Sequence, residues 1–152
     1  MFLRYYVVVG RRFEDVDKQF ANGADSWMPA LIQKANGHGM KLLSELGVEI
    51  GKRQIKRQIE LDIGKARRTP GVTLIPIKWR AASDSGLFPA LDGQIELARL
   101  GLATTQLGIS ASYEPPFGTM GKIADRALMH RVAEVTVKDF LERIGERLEH
   151  AK

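Results

Sequence analysis

The stretch MGKIADRALMHRVAEVTVKDFLERIGERL, residues 120–148, decides the fold. On a helical wheel Ile123, Ala127, Ala133, Val137, Phe140, Ile144 and Leu148 share one stripe, while Glu134, Lys138, Asp139, Glu142, Glu146 and Glu149 take the other side. Arg126 and His130 sit inside the apolar stripe. A helix of this length with one greasy face needs an apolar surface of matching extent. A shorter second stripe, Ala124, Leu128, Val132 and Val135, reads as packing against other helices of the same chain, with a homodimer contact as the alternative.

The preceding chain supplies the surface. Tyr5 to Val9 is aromatic and β-branched and stops at Gly10, which predicts a first strand. Phe13, Val16 and Phe20 then repeat at helical spacing, with Glu14 and Asp15 suited to a helix N-terminus, until Asn22-Gly23 breaks the pattern. Asp25 or Ser26 caps a second short helix carrying Pro29 in its first turn and Leu31, Ile32 and Ala35 on one face. Asn36-Gly37-His38-Gly39 reads as the stop of that helix and not as a phosphate loop, because no strand precedes it.

From Met40 to Glu114 the pattern changes to strands near 40–50, 54–64, 72–82, 91–99 and 104–113, the first open to interruption at Gly47. Short turn signals between them predict an antiparallel meander. Alternation places Ile55, Ile59, Leu61 and Ile63, then Ile75, Ile77 and Trp79, then Leu91, Ile95 and Leu97, then Leu107, Ile109, Ala111 and Tyr113 on one apolar face. The other face is charged, with Arg80 matched to Glu96 or Asp92 across strands. Pro115-Pro116-Phe117-Gly118 ends the last strand and Thr119 serves as N-cap of the long helix.

The totals agree with one domain over residues 1–152: 44% hydrophobic, 27% charged and a net charge of +5. The absence of cysteine excludes disulfides, thiolate metal sites and a cysteine nucleophile, and fits a cytoplasmic protein. His38, His130 and His150 have no metal-ligand spacing, so no metal or other cofactor is expected. The opening residues resemble neither a signal peptide nor a membrane span.

Strand, two short helices, a run of strands and one long C-terminal helix: this order resembles the helix-grip architecture of the START-like or SRPBCC superfamily, which includes polyketide cyclases, aromatases and lipid-transfer proteins. Local features add to the resemblance. They are Tyr6-Val7-Val8-Val9 running into Phe13-Glu14-Asp15-Val16, the turn Ser85-Gly86-Leu87-Phe88-Pro89, the exit Ser112-Tyr113-Glu114-Pro115-Pro116-Phe117-Gly118, and the helix Asp125 to Glu134. The resemblance implies an α+β fold, a curved antiparallel sheet of about six strands wrapped around the C-terminal helix, with a tunnel between them for an apolar or aromatic ligand. It carries no universal catalytic residue.

Candidate site residues therefore come from this sequence. Strand parity puts Arg57 on the apolar side unless a bulge turns it out, and Arg99 follows the same logic at the end of its strand, within reach of solvent. Arg126 and His130 lie one turn apart on the inward stripe. Trp79 and Tyr113 offer aromatic wall with polar tips, and Phe88 sits in a loop able to cover a cavity mouth. An inward arginine holds a carboxylate, phosphate or enolate oxygen, while His130 and Tyr113 are the candidate acid–base pair. The alternative roles are structural: a core histidine, a wall of aromatic packing and solvent-seeking arginines.

The leading expectation is binding of a small hydrophobic or aromatic ligand, a lipid or polyketide-like metabolite. The second is a cofactor-free cyclase, aromatase or dehydratase using His130, Tyr113 and an arginine. The third is an interaction module whose cavity is filled by side chains. The basic runs Lys52-Arg53-Gln54-Ile55-Lys56-Arg57 and Lys65-Ala66-Arg67-Arg68 read as a solvated face with weak attraction to anionic membrane surfaces. Without interleaved aromatics they give no expectation of nucleic acid. A monomer is expected, or a homodimer.

Overall fold

The computed structural model describes residues 2–28, 32–36, 39–50, 53–81, 90–114 and 126–150. Eight strands form one sheet: β1 (Phe2–Val9), β2 (Ile32–Asn36), β3 (Gly39–Ile50), β4 (Arg53–Ile63), β5 (Arg67–Thr69), β6 (Val72–Ala81), β7 (Ala90–Arg99) and β8 (Thr105–Glu114). Their order is β1-β8-β7-β6-β4-β3-β2, with β5 joined to β6 and every pairing antiparallel. Helix α1 (Phe13–Ala21) follows β1, and α2 (Arg126–Glu149) follows β8. No helix among the described residues is long and apolar enough to cross a membrane.

The strands expected over residues 40–113 are all present, and β3 runs through Gly47, which lies opposite Lys56. Two strands add to the expected six. One is the three-residue β5. The other, β2, replaces the second short helix. After Gly23, whose φ of 108° suits glycine alone, the chain makes one 3-10 turn, Ala24–Ser26, and then extends. Gln33, Lys34 and Ala35 are helix formers, but β2 pairs along its whole length with the long β3, and that ladder overrides local preference. Asn36 pairs with Gly39, so these two residues, expected within a helix stop, belong to adjacent antiparallel strands.

The inner face of the sheet follows the alternation of the sequence. Ile59, Leu61, Ile75, Ile77, Trp79, Leu91, Ile95, Leu97, Leu107, Ile109, Ala111 and Tyr113 are all buried. From α2 the stripe Ala133, Val137, Phe140, Ile144 and Leu148 is buried against them, and so are Thr136 and Leu141 beside it. Burial wider than one stripe has a direct cause. The helix touches β1 and β8 near one edge of the sheet and β3 near the other, so the sheet curls around it in the helix-grip arrangement. Phe140 packs edge-on against Trp79, ring centroids 4.9 Å apart at 73°. Burying each such aromatic contributes on the order of 2–3 kcal/mol.

Curling demands close backbone approach at Gly93, on the inner face of β7 between Leu91 and Ile95. A Cβ built there would stand 2.2 Å from the Ser110 carbonyl oxygen and 2.5 Å from Ala111 Cα. The outer face carries ion pairs fixed by register. Lys78 lies opposite Asp92 and pairs with it at 3.7 Å, and Arg80 lies opposite Glu60 at 3.0 Å. This corrects the expected partners of Arg80, since Glu60 stands across the ladder from it while Asp92 and Glu96 do not.

One end of the molecule is tightly tied. Phe13, Val16 and Phe20 bury the inner side of α1, and Phe20 stacks on Trp27 at 4.3 Å. Asp17 accepts from Arg68 and from the buried Thr73 hydroxyl, the latter at 2.8 Å. Arg11 donates to the Leu148 carbonyl at 2.8 Å, the Gly10 amide to Glu149 at 2.9 Å, and Arg147 to the Asp25 carbonyl at 2.6 Å. At Gly145 the helix faces β1, where an added Cβ would meet Val7 Cγ2 in ordinary contact at 3.4 Å.

Gly93→Ala forces backbone or Ala111 to move, so it is expected to lower the urea midpoint by about 1–3 kcal/mol of unfolding free energy at unchanged secondary structure. An unaltered midpoint would mean that the sheet does not need this close approach.

Candidate functional site

The inner ends of β4, β6, β7 and β8 are held in one row. Leu61 lies opposite Trp79, Trp79 opposite Leu91, and Leu91 opposite Tyr113. Parity alone turns Tyr113 inward, because it follows Leu107, Ile109 and Ala111 at spacing two. Its hydroxyl reaches across to the second turn of α2, where it lies 2.6 Å from His130 Nδ1. The two rings are tilted, 5.9 Å between centroids.

His130 is held from its other side. Glu134, one turn further along α2, places Oε1 2.8 Å from His130 Nε2. An ionised carboxylate only accepts, so Glu134 favours the tautomer with the proton on Nε2, in which Nδ1 accepts from the Tyr113 O–H. His130 therefore stands between the Tyr113 hydroxyl, hydrogen-bonded to Nδ1, and the Glu134 carboxylate close to Nε2. Exposure rises in that direction: Tyr113 is 1% exposed, the His130 side chain 40% and the Glu134 side chain 55%. The phenol of Tyr113 is raised above its ordinary value, first by burial and second by the charge of Glu134.

Glu134 went unrecognised in the sequence because it reads as part of the solvated face of α2. The i, i+4 spacing of His130 and Glu134 was the available signal. His130 itself sits at the flank of the helix and not under the sheet, although its stripe mates Ala133 and Val137 are buried.

That flank borders a groove of about 430 Å³ between β1 and α2, lined by Phe2, Leu3, Tyr5, His130, Val135 and Val137 among others. Arg4, Glu134 and Lys138 form its polar rim. Val135, read as part of a second stripe packed on helices, is half-buried here beside β1. A second groove, of about 580 Å³, lies on the outer face of the sheet among Glu60, Asp62, Lys78, Arg80 and Asp92. Among the described residues both concavities are open. Further along α2 the interior is filled by Phe140, Leu141 and Ile144, each 0% exposed.

Trp79 is 3% exposed, and its indole Nε1–H has no hydrogen-bond partner among the described residues. A buried donor left unpaired costs about 1–3 kcal/mol, so this one marks an unmet polar demand on the inner row. Asp139, half-buried nearby on α2, is different. Its carboxyl is pushed up by burial in spite of Arg143, whose Nε stands 3.1 Å from Oδ2 without hydrogen-bond alignment.

Of the other expected site residues, Arg57 has a backbone place in β4 opposite Leu46, and Arg126 opens α2. The side chains of both, and Phe88 entirely, lie outside the described residues. Arg99 is exposed, pairs with Glu14 and covers the Phe13 ring at 5.4 Å, so it belongs to the clamp on α1 and not to the site. Among the described residues no group of three histidine, aspartate or glutamate side chains is placed to hold a metal.

No family model matches the sequence, and neither does any curated protein. Solved structures do match, along nearly the whole chain. A conserved protein from Geobacillus kaustophilus superposes with a TM-score of 0.62 at 17% identity, covering 97% of this chain and 95% of that one. The Zhui aromatase/cyclase from Streptomyces sp. R1128 gives 0.60 at 17% identity, with 98% and 93% covered. A START superfamily protein from Mycobacterium smegmatis gives 0.52 at 14% identity, with 97% and 94% covered. The fold is thus START-like, as the order of elements implied.

In alkaline titration Tyr113 is expected to ionise above the ordinary phenol range, and Tyr113→Phe should remove that late step. Because the folded phenol is raised, the native state loses stability as pH climbs from about 10, the unfolded value, through the folded one. Tyr113→Phe should flatten that slope in urea melts. A titration curve that Tyr113→Phe leaves without loss of a late step would refute the assignment.

Proposed function

We propose that this protein binds a small hydrophobic or aromatic molecule, of lipid or polyketide-like type, between the sheet and the front half of α2. The observation that carries the reading is the Tyr113–His130 pair, with Tyr113 buried in the apolar inner face and His130 on the groove beside it. Apolar pockets with a few converging polar groups are how proteins orient small guests, and their volumes start at about 300 Å³. The groove beside His130 is of that size. Arg57, Phe88 and Arg126 stay proposed contributors from the flanking segments. The solved structures of the same fold include proteins described as aromatase/cyclases and START superfamily members, which supports ligand binding without naming the ligand.

A second reading is enzymatic, a cofactor-free cyclase or dehydratase. It is favoured by the short contact between Tyr113 and His130, since a phenol and an imidazole in direct hydrogen bond are equipped for proton transfer. Under it, His130→Ala leaves ligand affinity largely intact and removes turnover.

Native mass spectrometry of the purified protein, with organic extraction of whatever is retained, tests the first reading directly. A bound hydrophobic molecule is expected to add a defined mass and, in a Trp27→Phe background, to shift Trp79 fluorescence. Protein that carries nothing and shows no Trp79 response across a panel of fatty acids and aromatic ketones would end the ligand-binding proposal.

A further inference from the structure

We infer that the open edge of the sheet is an interface: β1 pairs antiparallel with β1 of a second copy of this chain, about a two-fold axis at Tyr5, in a weak, exchanging dimer.

Among the described residues β1 and β2 stand at the two ends of the strand order. An unpaired strand edge attracts other strands, and proteins blunt such edges with short strands, lysine or proline. Strand β2 is blunted, with five residues and Lys34 at its centre. Strand β1 has eight residues, FLRYYVVV, with no lysine and no proline. Its outward side chains include Phe2, Tyr6 and Val8, exposed at 64%, 60% and 52%. Their neighbours across β8 are small or polar: Ser112 opposite Phe2, Gly108 opposite Tyr6 and Gln106 opposite Val8. The cross-strand apolar contact that stabilises a ladder is therefore missing on that side.

The edge is complementary to itself. In an antiparallel pair related by a two-fold axis, directly opposed side chains share a face of the joined sheet. Centring the axis on Tyr5 satisfies this and pairs every residue from Phe2 to Val8. Phe2 then opposes Val8 of the partner subunit, Leu3 opposes Val7 of the partner subunit, and Arg4 opposes Tyr6 of the partner subunit. Two apolar pairs and a guanidinium beside a phenol ring result at each end. Centring on Arg4 would oppose two like charges, and centring on Tyr6 would carry Phe2 past the end of the partner strand. Charge permits the contact. The chain as a whole carries +5, which opposes self-association, but the edge is balanced. Arg4 and Lys138 are offset there by Glu134 and by Glu142, which accepts from Tyr5.

Seven ladder pairs at a rise of about 3.4 Å make a contact about 24 Å long. A contact one strand wide falls below the roughly 1,200 Å² buried in stable complexes, so a dissociation constant on the order of 10–100 μM is expected.

Sedimentation velocity of the full chain, from about 1 μM to about 1 mM, should pass from monomer to dimer. Tyr6→Lys sets a like charge against Arg4 of the partner subunit and should weaken association by about tenfold or more, with an unchanged circular dichroism spectrum. Val8→Lys should do the same by breaking the pair with Phe2 of the partner subunit. The chain has no cysteine, so introduced ones report the register. Arg4→Cys chains mixed with Tyr6→Cys chains should give a disulfide-linked heterodimer faster than either variant links to itself, because opposed Cα atoms about 4.5–5.5 Å apart suit the bond. A dimer that survives both lysine variants uses another surface and overturns the pairing. A chain still monomeric at about 1 mM overturns it too, and leaves the edge to a strand of a different protein. Equal cross-linking in mixed and unmixed samples overturns the axis at Tyr5.

Discussion

The structure depends on burying one helix from more than one side. A flat sheet covers one stripe of a helix. Here Thr136 and Leu141 are buried together with the Ala133–Leu148 stripe, because β1 and β8 approach α2 from one flank and β3 from the other. That needs strong curvature, and curvature needs places where backbones close on each other. Gly93 against Ser110 and Ala111 is one of them. The outer face then only has to stay wet, and it does so with charge pairs that register brings opposite each other, Lys78 with Asp92 and Arg80 with Glu60. Such exposed pairs are worth little singly, so the curvature and the helix, not the ion pairs, hold the fold.

Curvature also explains where polar chemistry is tolerated. In the filled part of the interior, around Phe140 and Ile144, an imidazole would need full hydrogen-bond satisfaction in a dry setting. At the first turns of α2 the sheet margin leaves a groove, and His130 can hold one partner inside and another outside. The site sits where the grip loosens.

Most of the architecture was legible. Period-two alternation identified the inner face from Ile59 through Tyr113, and the helical stripe identified the face of α2. The two misread elements failed for definable reasons. Ile32–Asn36 is locally helix-friendly, and only its pairing with β3 makes it a strand; pairing partners are invisible in a local reading. Arg80 was matched by charge alone, whereas its neighbour is set by the β4–β6 register. At the site, Tyr113 and His130 could be named because each broke an apolar pattern with a polar tip. Glu134 could not, since a glutamate on a solvated helix face is the commonest thing such a face contains. Arg99 looked inward by parity, but at the last residue of β7 the side chain is free to leave the sheet for Glu14.

The approach of α2 to β1 at Gly145 has a consequence for how this molecule can change. Helix and strand form a wedge, sewn at its narrow end by Gly10–Glu149, Arg11–Leu148 and the glycine contact with Val7, and splayed at its wide end around Leu3 and His130. Forces that open the wide end are resisted at the narrow one, as in a clothes-peg. Exposed side chains on the rim of the jaws, Arg4, Glu134 and Lys138, can therefore be exchanged with little effect on folding, while the ties at the spring cannot. New specificity can arise at one end of a single helix because the other end keeps the fold.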